Sequence, residues 1–260
     1  MSAVRNPARE RLERGEVSLG LGIRLSRSVD IAKILKSSGY DWLFLDLEHG
    51  TMSLDTAAQI SVAALDTGIA PIVRVPAMQH VMATRALDGG ALGIVMPHVD
   101  TAKEAREIVD HLKYPPVGHR SVAGAQPQFD YKAMKIGELT TALNAASLTV
   151  CMVETPKAIA NVDAIAAVPG VDVVLVGTND LAAEMGIPGD FANAKIAAAY
   201  KKVITACRKH KKFPGMGGVY SDELMKRYVG MGMRMILSGG DVGMLMQAAA
   251  QRATFVRGCL

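Results

Sequence analysis

Seven ionisable side chains in this chain directly follow apolar runs, where a buried strand would deliver them to a rim. Asp46, Glu48 and His49 lie in Leu45-Asp46-Leu47-Glu48-His49-Gly50. Arg74 follows Pro71-Ile72-Val73, His98 follows Pro97, Glu154 follows Val153, and Asp180 ends Gly177-Thr178-Asn179-Asp180. Glu154 and Asp180 close consecutive strand-like runs. Adjacent parallel strands lie ~4.8 Å apart, so both carboxylates can reach one point. With water and a substrate, two hard oxygen ligands suit an octahedral divalent cation such as Mg2+ or Mn2+. The competing structural roles are acceptance from the next helix N-terminus for Glu154 and an N-cap for Asp180. Arg74 is costly inside an apolar run unless paired. It either clamps a carboxylate and stabilises an enolate oxygen, or pairs structurally with Asp46 or Glu48. His49 is a candidate base near pH 7, with Asp46 fixing its tautomer, or a structural loop histidine.

The elements that must position these groups alternate along the chain. Strand-like runs fall at 18–25, 42–47, 70–75, 93–96, 148–153, 171–176, 213–216 and 234–237. Most are continuously apolar, as parallel strands covered on both faces require. Helical segments fall at 29–38, 54–67, 78–88, 101–112, 156–168, 192–209, 221–229 and 242–257. Thr101 followed three residues on by Glu104 is a capping-box signature. Eight strand–helix units in 260 residues predict an α/β fold, a (β/α)8 TIM barrel, as a single domain over 1–260. A doubly wound sheet is the alternative, but it needs a switch point and usually fewer strands. The longest interruption, 113–144, opens with Tyr114-Pro115-Pro116-Val117-Gly118. It is read as a substrate loop, with a helix near 131–142.

Composition narrows the function classes. Half the residues are hydrophobic but only 5% are aromatic, so the core must be aliphatic. The longest uncharged stretch, 139–153, is too short and polar for a membrane span, and the amino-terminal residues carry no apolar signal segment. The net charge of +4 is mild. Lys209, Lys211 and Lys212, beside Arg208 and His210, read as a solvated helix end and not as a nucleic-acid stripe. Three widely spaced cysteines, Cys151, Cys207 and Cys259, form no CxxC pair. The cytoplasm is the expected compartment. No lysine stands at a strand end for a Schiff base, and no GxSxG, GxGxxG or Walker-type motif occurs. Gly217-Gly218 and Gly239-Gly240 suit either a phosphate site or tight barrel turns.

Together, Tyr40-Asp41-Trp42-Leu43-Phe44-Leu45-Asp46-Leu47-Glu48-His49, Val73-Arg74-Val75-Pro76, Tyr114-Pro115-Pro116-Val117-Gly118-His119-Arg120, Val153-Glu154-Thr155 and Val176-Gly177-Thr178-Asn179-Asp180-Leu181 resemble the HpcH/HpaI aldolase family. These are class II, metal-dependent pyruvate aldolases. The resemblance covers the chain from Leu19 to the last helix. It implies a phosphoenolpyruvate/pyruvate-type barrel whose C-terminal helix is domain-swapped, in a dimer-based homo-oligomer such as a hexamer. The implied activity is reversible aldol cleavage of a 4-hydroxy-2-oxo acid to pyruvate and an aldehyde through a metal-bound enolate, in the catabolism of aromatic or sugar acids. Glu154 and Asp180 match the metal carboxylates, with Mg2+, Mn2+ or Co2+ as the ion. Arg74 matches the residue that holds the oxo group, His49 the base, and Asp46 its orienting carboxylate. The backbone around Gly177, Thr178 and Asn179 would receive the substrate carboxylate. Two positions depart from the pattern. Met152 stands where an amide is common, and Arg24 stands where a Trp is common, adding a candidate carboxylate anchor. The rival readings are an oxaloacetate decarboxylase, a malyl- or citramalyl-CoA-type lyase on the same enolate site, and a non-catalytic barrel. The expected partners are a 2-oxo acid and an aldehyde, with neither nucleic acid nor membrane.

Overall fold

The structure, a computed structural model, describes residues 4–259; the first three residues and the last of the expected 1–260 domain lie outside them. Eight parallel strands close in sequence order into one barrel: β1 (Ser18–Ile23), β2 (Trp42–Asp46), β3 (Ala70–Arg74), β4 (Gly93–Met96), β5 (Leu148–Val153), β6 (Val173–Gly177), β7 (Phe213–Gly217) and β8 (Met235–Gly240). The helices are α1 (Pro7–Glu13), α2 (Asp30–Ser37), α3 (Leu54–Thr67), α4 (His80–Asp88), α5 (Ala102–Leu112), α6 (Ile136–Ala146), α7 (Pro156–Ala160), α8 (Val162–Ala166), α9 (Thr178–Glu184), α10 (Ala194–His210), α11 (Asp222–Met231) and α12 (Asp241–Arg257). Among the described residues no helix is long and apolar enough to cross a membrane.

Strand parity decides what faces the barrel axis, because alternate side chains point to opposite faces. Trp42 and Phe44 on β2, Ala70 and Ile72 on β3, Leu148, Val150 and Met152 on β5, Val173 and Leu175 on β6, and Met235 and Leu237 on β8 form one inner cluster. The intervening Leu43, Leu45, Val73, Cys151, Val153, Val174, Val176 and Ile236 pack outward under the helices. The unexpected α1 covers the lower end of the barrel, where Ala8 and Leu12 join the inner cluster. Asn6 caps it and ties it down, its Nδ2 donating to the carbonyls of Leu92 and Ala146 at 3.0 and 2.7 Å.

Several boundaries differ from the sequence expectation. The segment at 156–168 breaks at Asn161 into α7 and α8. A short α9 follows β6 directly, and the helix expected near 131–142 is α6, four to five residues later. Gly239 and Gly240, read as either a phosphate site or a tight turn, complete β8. The long segment 113–144 lies at the end of the barrel away from the charged rim. This segment follows a helix, α5, and so hangs from the lower end of the barrel. Gln128 donates to the carbonyls of Leu87 and Ala91 at 2.7 and 3.2 Å, and Lys113 to that of Ser147 at 2.6 Å. None of its residues lines this chain's own cavity at the other end, and its polar contacts brace the lower end.

The floor of the barrel is set by a glycine facing a tryptophan. A Cβ on Gly20 would lie 2.2 Å from the fully buried Trp42 ring. Gly20→Ala therefore lowers unfolding stability by about 1–3 kcal/mol through overpacking, read as a lower urea midpoint with an unchanged slope.

Candidate active site

The inward parity that fills the barrel with aliphatic side chains turns to charge at its upper end. Above Phe44 stands Asp46, above Ile72 stands Arg74, and above Met152 stands Glu154. Asp46 and Arg74 are direct neighbours in the β2–β3 register. Arg74 donates from Nε to Asp46 Oδ1 at 2.9 Å and from Nη2 to Oδ2 at 2.6 Å. Its Nη1 lies 3.0 Å from Glu48 Oε2, and its plane lies over the Phe44 ring at 5.0 Å. Burial works against the charge of Arg74, but Asp46, Glu48 and Glu154 outweigh it and hold its pKa above the ordinary value. Arg74 is therefore paired with Asp46 and Glu48 and also faces the cavity.

Asp46 does not touch the His49 imidazole. Its Oδ1 accepts the backbone N–H groups of Glu48 and His49 at 3.1 and 3.2 Å, folding the post-β2 loop around itself. The carboxylate nearest the half-exposed ring is that of Glu48, 4.0 Å from His49 Nε2. Asp46 thus orients Arg74 and the loop that carries His49, and Glu48 faces the imidazole.

Glu154 is almost fully buried. Its Oε2 accepts the backbone N–H of His98 at 2.9 Å and lies 3.4 Å from His98 Nδ1. Its Oε1 accepts no hydrogen bond among the described residues and faces Gly177, where a Cβ would sit 2.2 Å away. Gly177 is the inward position of β6 at this level, so the absence of a side chain there makes room for the carboxylate. Burial, reinforced by the Asp180 charge, pushes the Glu154 pKa up to about 7 against the pull of His98 and Arg74. Asp180 is not an N-cap. Gly177 caps α9, and Asp180 lies in the first turn of that helix. Among the described residues no cluster of three or more His, Cys, Asp or Glu side chains forms a closed metal cage. An oxygen free of hydrogen bonds on a carboxyl group that Asp180 makes harder to ionise fits a hard divalent cation. Water and substrate would fill the remaining positions.

The other expected residues gather at the same cavity of about 600 Å3, which Arg24, His49, Met152, Gly177, Thr178, Asn179 and Asp180 all help to line. Thr178 contributes through its backbone. Its hydroxyl is directed into the wall, 2.7 Å from Tyr200 Oη and 2.6 Å from the Gly217 carbonyl. Met152 forms apolar floor beside Phe44 and Leu237. Sequence reasoning placed His98 at a strand end but gave it no role. It takes φ of +54°, uncommon for a side chain with a Cβ, and so turns its amide and ring toward Glu154. The signal was its place just after β4, between the strands that lead to Arg74 and Glu154. Tyr220 was also missed; it stands at the rim beyond β7 and lines the cavity.

A profile of the HpcH/HpaI aldolase/citrate lyase family matches residues 24–248. The chain is 39% identical, over 93% of its length and 91% of the relative's, to a 4-hydroxy-4-methyl-2-oxoglutarate aldolase of Chaetomium globosum. It is 34% identical to a hydroxypyruvate/pyruvate aldolase of Paraburkholderia phytofirmans, over 99% and 100% of the two chains. The crystal structure of an HpcH/HpaI aldolase from Desulfitobacterium hafniense superposes with a TM-score of 0.91 at 30% identity, covering 96% of each chain.

The raised Glu154 pKa has a consequence for the cation-free protein. The folded state binds this proton up to about pH 7, whereas an unfolded glutamate releases it near ~4.3. Its contribution to stability is fully present below the unfolded value and is lost as pH rises through the folded one. Melting temperatures taken in chelator from pH 4.5 to 8 fall more steeply for the parent chain than for Glu154→Gln.

Proposed function

The chain belongs to the HpcH/HpaI aldolase/citrate lyase family, and from that premise we propose that it cleaves a 4-hydroxy-2-oxo acid reversibly to pyruvate and a carbonyl compound in this cavity. The observation that carries this reading is Arg74, buried and held by Asp46 and Glu48, sharing one cavity with Glu154 and Asp180. Such a site concentrates positive charge where an enolate oxygen develops.

Arg74 spends part of its donor set on Asp46 and Glu48 and turns its remaining N–H groups to the 2-oxo oxygen. The first backbone N–H groups of α9, at Thr178 and Asn179, lack a side-chain cap and receive the substrate's C1 carboxylate. His49 accepts the proton of the 4-hydroxyl group. The C3–C4 electron pair then moves into the C2–C3 bond, C4 becomes a carbonyl carbon, and a later proton on C3 gives pyruvate. Glu154 and Asp180 would hold a divalent cation (Mg2+, Mn2+ or Co2+), which would supply Lewis-acid stabilisation of the charge that develops on the oxo oxygen. Met152, apolar where an amide is common, leaves the oxo acid to Arg74 and the helix amides.

The same reading has the chain acting as a homo-oligomer built on dimers, with α12 exchanged between subunits. In support, α12 buries none of its residues, and Leu245, Met246, Phe255 and Val256 are exposed on it. Three unpaired cysteines suit a reducing, cytoplasmic setting.

The direct experiment follows pyruvate release from 4-hydroxy-2-oxo acids, with oxaloacetate and malyl or citramalyl thioesters as parallel substrates. Release from the aldols is expected to stop with chelator, return with Mg2+, Mn2+ or Co2+, and fall about 10²- to 10³-fold in kcat for Arg74→Lys, which loses the forked geometry. Turnover of oxaloacetate or a thioester alone refutes the aldol reading. For the assembly, sedimentation of the parent chain is expected to give a dimer or a multiple of one, and the double variant Leu245→Glu, Phe255→Glu a smaller species.

A further inference from the structure

The cavity is lined by two arginines, and only one of them is neutralised. Arg74 is closed in by Asp46 and Glu48. The Arg24 guanidinium makes no ion pair and no hydrogen bond with any described residue, although Asp46, Glu154, Asp180 and Asp222 all line the same cavity. Nor is it a stray surface side chain. On β1 the inward positions are Ser18, Gly20 and Gly22, so Arg24 is the next residue of that row and the first whose side chain can reach the mouth. Its backbone is held from two directions. The N–H groups of Arg24, Leu25 and Ser26 donate to the Asp241 carboxylate at 3.1, 2.9 and 2.7 Å. The Arg24 carbonyl accepts from Arg27 Nη1 at 2.8 Å, while Arg27 Nη2 reaches Thr51 Oγ1 at 3.2 Å. Tyr220 lines the same cavity as both arginines.

Barrel order then says which end of a substrate Arg24 meets. β1 lies between β2 and β8, across the closed barrel from β5, which precedes Glu154. An anion on Arg24 therefore lies away from the carboxylates at which the enolate half is held. We propose that Arg24 binds a second carboxylate on the acceptor half, so that the preferred substrates are dicarboxylic 4-hydroxy-2-oxo acids and cleavage yields pyruvate plus a second oxo acid. This rests on the aldol reading for the placement of the pyruvate half. Arg24 takes no part in moving electrons: the C3–C4 bond breaks as before, and the carboxylate stays on the departing carbonyl fragment.

The test uses ligands that cannot be cleaved. 2-Oxoglutarate and 2-oxovalerate have the same chain length and the same 2-oxo acid end, and differ in the far carboxylate. Titration calorimetry of the full chain with Mn2+ is expected to show 2-oxoglutarate bound about 10- to 100-fold more tightly, the range of a charged hydrogen-bonded contact. Arg24→Ala is expected to erase that preference by weakening 2-oxoglutarate, and Arg24→Lys to keep part of it, with both variants melting as the parent does. No preference in the parent chain, or a preference that survives Arg24→Ala, overturns the proposal. If the preference behaves as expected but no 4-hydroxy-2-oxo acid releases pyruvate, the aldol reading fails and the Arg24 site stands.

Discussion

A guanidinium can remain inside a barrel of aliphatic side chains only if a carboxylate is built in beside it, and the geometry of this site follows from that requirement. Arg74 is almost fully buried, and an unpaired ion there would cost several kcal/mol. Asp46 meets it fork to fork from the neighbouring strand. Having two oxygens, Asp46 also collects the amides of Glu48 and His49. Neutralising one strand residue thereby shapes the loop after β2, aims Glu48 at the far side of the guanidinium, and puts His49 at the cavity edge. Removing Asp46 would strand a buried cation and release the loop together, so this carboxylate acts chiefly through its neighbours.

Glu154 shows the opposite balance. It has amide and imidazole help from His98, but it is buried and Asp180 lies close, so its proton is held to about pH 7. One end of the cavity is short of negative charge only at Arg24, and the other is short of positive charge at Glu154 and Asp180. Side chains rim the β2–β5 half, while the inward positions at the top of β1, β6, β7 and β8 are glycines: Gly22, Gly177, Gly217 and Gly239. The open volume exists because half the barrel carries no side chain at the level where the other half carries charge.

Much of this was legible in the sequence. Continuous apolar runs in Trp42–Asp46, Ala70–Arg74 and Leu148–Val153 announced doubly covered strands, and the residues closing them were the charged ones. Period-two parity carried Asp46, Arg74 and Glu154 to a single rim. Contacts set by the path of the loops were not legible. Nothing local to Asp46 says that its oxygens go to Arg74 and two amides and not to an imidazole. The positive φ of His98 and its bond to Glu154 join residues 56 positions apart. The placement of segment 113–144 was not legible either, because length alone does not say which end of a barrel a loop serves. Its place after a helix does, since only the connections after strands open onto the catalytic rim.

The departures at Met152 and Arg24 become a single adjustment once the cavity is seen as a gradient. Its floor is Phe44, Met152 and Leu237, all nearly dry, so a polar group pressed there would lose its water without a partner. An amide at 152 would have offered such a partner low in the cavity; a thioether does not. The polar groups of the cavity thereby lie higher, at the Arg74 plane, at the start of α9 and at Arg24 above its glycines. A ligand fits this gradient if it carries anionic ends at the rim and an apolar middle toward the floor. The chain meets that demand with a fixed backbone on the β1 side, because Asp241 at the start of α12 holds Arg24, Leu25 and Ser26 in one grip. The helix whose first turns line the mouth and the cation beside it are thus joined through the same carboxylate.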